Sequence, residues 1–278
     1  MKNPSPFGAT LRAYLRQLLI VVAMFILPSA VMAQEHEHDD DHDHLHFSHP
    51  LVTESPSPDT KIRLDYAVVW TSEAPKIRDY LLRVEGEYAF THSVSLALTA
   101  PYEFRTEPAT DRANGFGNLE LSLKFASLRY GEHGALIGGG FAAEFPTGSD
   151  EKEIGSSHLF ELEPFLDAGY KREKLELVGF ARLSSTVNRR PGEESERSLA
   201  FDFSSLYRLH PRLEALLELT TERALVGSEA GIPQTFFAPG LKIYPFANPQ
   251  LMFGASLQLG TGALSSVKGA VVSAFYHF

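Results

Sequence analysis

The sequence predicts an all-β protein: a transmembrane antiparallel up-and-down β-barrel of about 12 strands, with a disordered His-rich N-terminal tail. Three observations predict it. Beyond Thr60 apolar residues recur with a period of two, over windows longer than the strands of soluble sheets. Short turns alternate with longer polar connections. The last alternating stretch ends on Phe278.

Residues 1–33 read as a secretory signal peptide. Lys2, Arg12 and Arg16 give the positive start, Leu18–Leu27 the apolar centre, and Val31-Met-Ala33 a small-x-small cleavage signal. The apolar centre is too short for a membrane helix, which needs about 20 residues. Cleavage removes three cations, so the net charge of −10 becomes about −13. That balance argues against a nucleic-acid partner, because phosphate contacts call for a basic surface. There is no cysteine, which excludes disulfides, thiolate metal sites and cysteine nucleophiles.

Residues 34–59 form the next unit, expected to be a periplasmic tail and linker. It holds six of the eleven histidines within a run of acids. The candidate metal ligands are His36, His38, Asp39, Asp41, His42, His44, His46 and His49. Imidazole beside carboxylate suits Zn, Ni or Cu. The run has no apolar periodicity, and Pro50, Pro56 and Pro58 follow it, so labile binding on a flexible tether is expected. No cofactor is required by anything else in the chain.

Residues 60–278 are the barrel. In Lys61–Trp70, Ile62, Leu64, Tyr66, Val68 and Trp70 share one face, and Arg63 and Asp65 the other. Leu119–Phe125, Leu175–Leu183 and Leu213–Leu219 alternate in the same way. Strand starts are expected near Lys61, Arg78, Ser93, Gly115, Gly134, His158, Leu175, Leu199, Leu213, Thr235, Gln250 and Lys268. Five tight turns (90–92, 130–133, 170–174, 210–212 and 246–249) alternate with longer connections such as 105–114, 146–157, 186–197 and 225–234. An even strand number then puts both termini at the periplasmic rim. Aromatic residues near strand ends, Trp70, Tyr80, Tyr88, Phe90, Tyr102, Phe104, Phe145, Phe160, Tyr170, Tyr207, Tyr244, Phe246 and Tyr276, suit two interfacial girdles. The terminal strand Lys268–Phe278 resembles the signal that barrel-insertion machinery reads, and it must close against the first strand to remove the sheet edge. The expected location is the outer membrane of a Gram-negative bacterium, in contact with its lipid.

Four stretches, Gly115–Phe125, Ala143–Ser149, Glu161–Tyr170 and Ala238–Lys242, resemble a family of outer-membrane channels named for the meta-pathway of phenol degradation. The resemblance covers most of residues 60–278. It implies a twelve-stranded barrel that moves small, often hydrophobic, compounds.

With the apolar face toward lipid, the other face lines the lumen. It carries Arg63, Asp65, Arg83, Glu85, Glu87, Glu103, Arg105, Glu120, Lys124, Glu144, Glu161, Glu163, Asp167, Glu176, Arg182, Asp202, Glu214, Glu218 and Lys242. Such a lining fits either a cation-favouring pore or a lumen filled by ion-pair networks. The function expected is a channel for small molecules or metal ions. The alternative is a closed-lumen structural or metal-scavenging protein. A barrel enzyme using His92, His133, His158 or His210 is a weaker reading, and no G-x-S-x-G or H-E-x-x-H spacing supports it. The triplet Gly138–Gly140 lacks the Lys-Ser/Thr of a phosphate loop and suits close packing in a strand.

Overall fold

The structure is a computed structural model that describes residues 46–72, 77–106, 113–130, 134–188, 190, 196–226, 230–246 and 250–278, without the side chains of 127–130. Thirteen strands are present: β1 Lys61–Thr71, β2 Arg78–Thr91, β3 Val94–Thr106, β4 Ala113–Phe116, β5 Leu119–Tyr130, β6 Ala135–Phe145, β7 Phe160–Arg172, β8 Leu175–Asn188, β9 Arg197–His210, β10 Leu213–Ala224, β11 Pro233–Ile243, β12 Leu251–Thr261 and β13 Val267–His277. Consecutive strands pair antiparallel, except that β4 and β5 both pair β3 instead of each other, and β13 returns to β1 in register from Lys61↔His277 to Thr71↔Val267. The sheet is therefore a closed barrel of 12 strands with one short addition. Closure of β13 on β1 removes the edges that the long strands would otherwise offer for aggregation.

The addition is a departure from the twelve predicted segments. The fourth is split, because β3 pairs β5 at one end (Val94↔Phe125) and β4 at the other (Tyr102↔Phe116). Gly117 and Asn118 interrupt the ladder between them. Asn118 turns inward, where its amide donates to Glu144 at 2.7 Å and its carbonyl accepts from the N–H groups of Gly148 and Ser156. It thereby ties the loop 146–159 to the wall.

The side-chain pattern is inside-out relative to a soluble protein. Along β1, Lys61, Arg63 and Asp65 are buried while Leu64 and Tyr66 are exposed. Leu166 is 69% exposed between the buried Phe165 and Asp167. A lipid-facing wall accounts for this, since apolar side chains lose nothing by meeting acyl chains. Exposed Tyr88, Phe90, Tyr207, Phe246 and Tyr276 ring the end that carries the tight turns. At the other end Tyr102 packs edge to face on Phe116 and tilted against Phe104. Tyr244 departs from the girdle reading. It points inward, and its hydroxyl donates to Glu214 at 2.9 Å.

The larger departure concerns residues 46–59, expected to be a flexible tether. They fold into the barrel interior. Phe47 and Leu51 are 0% and 1% exposed and join an apolar cluster with Leu136, Val178, Leu206, Leu216, Met252 and Phe275 from the inner wall. Two glycines make room. A methyl on Gly169 would lie 2.6 Å from the Phe47 ring, and one on Gly254 would strike Leu51. The calls at His36, His38, Asp39, Asp41, His42 and His44 lie outside the described residues.

Candidate functional site

The inner segment is held by charged groups of the wall as well as by packing. Ser48 N–H donates to Glu176 at 2.7 Å. Val52 and Thr53 N–H both donate to Glu218 Oε1, at 2.9 and 3.0 Å. Ser204 Oγ donates to Thr53 Oγ1 at 2.6 Å, and Arg63 donates to the Leu51 carbonyl. A segment without strand partners has backbone groups to satisfy, and a buried one left unpaired is costly. Acidic wall residues meet that need here, a role distinct from ion selection.

Around the segment the acids are matched by cations. Lys61 lies 3.2 Å from Glu85 and also pairs with Glu87. Lys124 reaches Glu87 at 3.5 Å, and Asp65 binds both Arg63 (2.9 Å) and Arg83 (2.7 Å). Glu214 binds Lys242 at 2.7 Å and Arg208 at 3.5 Å, and Glu176 binds Lys171 at 2.8 Å. Burial of charge demands such pairing. The filled-lumen expectation therefore describes this half of the barrel.

Beyond the segment lies an open cavity of about 340 Å³, floored by Leu51, Val52 and Glu54 and walled by residues including Asp65, Arg83, Phe180, Arg182, Asp202, Glu222 and Gln258. A side chamber of about 90 Å³ adjoins it, lined by Glu120 and Glu163 among others. Acids dominate here. Glu163 lies 4.0 Å from Arg182, but Glu120 and Glu161 form no ion pair among the described residues. Glu103 pairs with Arg105 at 3.4 Å. Every residue expected to face the lumen is buried or half-buried, none fully exposed. The lumen thus has an ion-paired, occupied half and an acid-rich, open half.

A second cluster lies where the inner segment meets the barrel seam. His46 Nε2, His49 Nε2 and His277 Nδ1 approach one atom, Asp59 Oδ2, at 2.9, 2.7 and 3.0 Å. The four donor atoms lie within 4.8 Å of one another. Burial and the nearby Lys61 charge push His49 well below the usual imidazole range, against the pull of Asp59. Burial alone would raise Asp59, but hydrogen bonds from His277, His46 and His49 outweigh it and hold the carboxyl well below its ordinary range. Two of the candidate ligands expected in the run, His46 and His49, lie in this cluster. Asp59 and His277 went unforeseen. The His-x-x-His spacing and the histidine next to the terminus were the available signals.

Of the histidines weighed for catalysis, His133 lies outside the described residues, and His158 does not set an acid and a hydroxyl on opposite ring nitrogens. His158 Nδ1 faces both Asp150 Oδ2 (2.9 Å) and Ser156 Oγ (3.3 Å), whereas a relay needs its acid and nucleophile on opposite ring nitrogens. Asp150 instead organises its loop, accepting from Ser156 Oγ at 2.8 Å and Ser157 N–H at 3.0 Å. Hydrogen bonds from Ser157 and Ser156 hold its carboxyl well below the ordinary range. The Gly138–Gly140 stretch is wall, as expected: a methyl on Gly138 would collide with Asp167 and the Phe125 carbonyl.

No protein-family model and no curated relative matches the chain. Among solved structures, it is similar to an outer-membrane channel from Pseudomonas putida F1, with 16% identity and a TM-score of 0.60, covering 87% of this chain and 100% of that one. The NanC porin shares 9% identity at a TM-score of 0.55, covering 78% and 99%. The translocator domain of the autotransporter NalP from Neisseria meningitidis shares 11% identity at 0.52, covering 96% and 99%. These likenesses establish the fold: an all-β barrel of the outer-membrane kind.

Proposed function

We propose that the protein is a non-enzymatic outer-membrane channel for small solutes in a Gram-negative bacterium, occluded at its terminus-bearing end by residues 46–60. The observation that carries the reading is a closed wall, apolar outside and ionisable inside, around a cavity of about 340 Å³ that ends on the inner segment. The solved structures it is similar to include a channel and a porin. Both termini are periplasmic in this reading, Phe278 is read by the insertion machinery, and the acid-rich half favours cations. The resemblance to the phenol meta-pathway family supports small organic compounds as the other cargo. The residues 34–45 outside the described structure supply labile ligands for Zn, Ni or Cu.

A closed-lumen structural protein is the second reading, favoured by the occupied half of the barrel. Planar-bilayer recording and liposome swelling with refolded protein separate the two. Absence of ion conductance and of swelling with every small solute, both in the full chain and after residues 34–59 are removed, would sink the channel reading. Uptake and tolerance of Zn, Ni and Cu after deleting residues 35–45 test the tail, and an unchanged phenotype would remove it from cargo handling.

A further inference from the structure

We propose that His46, His49, Asp59 and His277 form a four-ligand site for one divalent transition-metal ion of the zinc class, and that the bound ion latches the inner segment to the closing strand. The inference does not rest on the channel reading. It rests on donor chemistry and on where the four residues come from.

Three imidazoles and a carboxylate are a closed ligand set for zinc. With metal–ligand bonds of about 2.0–2.2 Å, a tetrahedron has edges of roughly 3.3–3.6 Å. The three N–O edges here are 2.7–3.0 Å, and all others are within 4.8 Å. Loading the site therefore needs only small movements of ring and carboxylate. Without an ion, three N–H donors compete for one oxygen, which offers about two lone-pair directions. A cation removes the conflict once each ring carries its proton on the other nitrogen, so that the nitrogen facing Asp59 offers the ion a lone pair.

The surroundings hold the ligands through the second oxygen of Asp59, one ring stack and two backbone hydrogen bonds. Asp59 Oδ1 accepts from the Thr60 N–H at 3.0 Å, turning Oδ2 toward the histidines. The His49 ring stacks on Phe275 at 5.9 Å. Lys171 donates to the His46 carbonyl at 3.0 Å, and the His277 N–H donates to the Gln250 carbonyl at 2.8 Å. The nearby Lys61 is neutralised by Glu85 and Glu87, so it does not leave an uncompensated charge against the ion.

The latch follows from chain connectivity. His46 and His49 open the inner segment, Asp59 ends it, and His277 ends β13 at the seam, where it pairs with Lys61 of β1. One ion would close the segment into a loop and tie that loop to the seam.

The test uses the full chain in detergent, titrated with zinc and followed with cobalt(II) absorption. Wild type should bind one ion tightly with tetrahedral cobalt bands, above a weaker background from the run. A variant with His36, His38, His42 and His44 changed to Gln should keep that site and lose the background. His277→Ala and Asp59→Asn should each weaken it by at least about 100-fold, the upper range for merely perturbing a ligand's supporting contacts. Heat-modifiable gel mobility checks that each variant is folded; Asp59→Asn, which keeps the shape, serves if His277→Ala is not. Hydrogen exchange of residues 47–58 should slow by about 100-fold at a free zinc concentration one hundred times the dissociation constant. Tight binding retained by both folded variants, loss of the site in the four-histidine variant, or binding without slowed exchange would each overturn the proposal.

Discussion

Replacing Phe47 and Leu51 together by Ala should open the barrel. Both side chains are fully buried in the cluster they form with the inner wall. Truncating a buried Phe costs about 3–5 kcal/mol and a buried Leu about 2–5 kcal/mol. The two share that cluster, so their effects will not simply add. Even about 2–3 kcal/mol shifts the docked-to-undocked ratio roughly 30- to 150-fold, at one decade per 1.4 kcal/mol. The barrel itself should survive, because its ladder closes without the segment. The bonds to Glu176, Glu218 and Arg63 remain, so the segment should release intermittently rather than leave for good. Single-channel recording should show wild type almost always closed and the double variant with an open fraction at least about 30-fold higher. Open and closed levels should be those of the lumen with and without the segment. If the variant is folded and its open fraction and conductance match wild type, the segment is not the barrier.

Gly169→Ala should give a milder version of the same phenotype, since its methyl must displace the Phe47 ring 2.6 Å away; unchanged gating would show that the ring yields without undocking. Lys242→Met removes the 2.7 Å partner of buried Glu214 and should destabilise the barrel by about 3–5 kcal/mol, less whatever Arg208 recovers; a urea midpoint equal to wild type would refute that. Asp150→Ala should leave barrel stability unchanged but make the 146–159 loop more sensitive to trypsin at Lys152, and equal cleavage would remove Asp150 as its organiser. Because the Asp150 carboxyl is held below its ordinary range, its contribution is full above about pH 4 and fades only as pH falls further. Loop hydrogen exchange that accelerates already between pH 6 and 5 would contradict that direction.

The strand plan was legible because a lipid-facing wall writes itself as strict alternation. Expected and observed strand starts fall within two residues of each other, except that the fourth expected start, Gly115, falls inside β4. What hid the inner segment is that inward positions were recognised by their charges. Val178, Leu206, Leu216, Met252 and Phe275 face inward too, but an apolar residue in a strand carries no label saying which side it faces. In β8 the inward positions 176, 178, 180 and 182 read Glu, Val, Phe, Arg, and only the outer two stand out. The segment itself reads as a linker for a related reason. Pro50, Pro56 and Pro58 and the serines between them suit an irregular chain without strand partners, and that is its conformation here, with bends at 51–53 and 56–57. Composition cannot tell an irregular chain in water from one whose N–H groups are taken by Glu176 and Glu218.

The same reasoning relates the two halves of the lumen. An acid facing inward can serve a backbone donor, a lysine or a passing cation, and which it does depends on what else is near. Glu218 serves Val52 and Thr53, and Glu214 serves Lys242. Glu120 has no cation paired with it among the described residues and borders the side chamber instead. Undocking the segment would strip Glu176 and Glu218 of backbone donors and add them to the acid-rich lining. Cation preference should therefore rise when the segment leaves: the reversal potential of the Phe47→Ala, Leu51→Ala variant in a salt gradient should be more cation-selective than that of the same variant carrying Glu176→Gln and Glu218→Gln. Equal reversal potentials would mean that these two acids are spent on the wall rather than exposed to the pore.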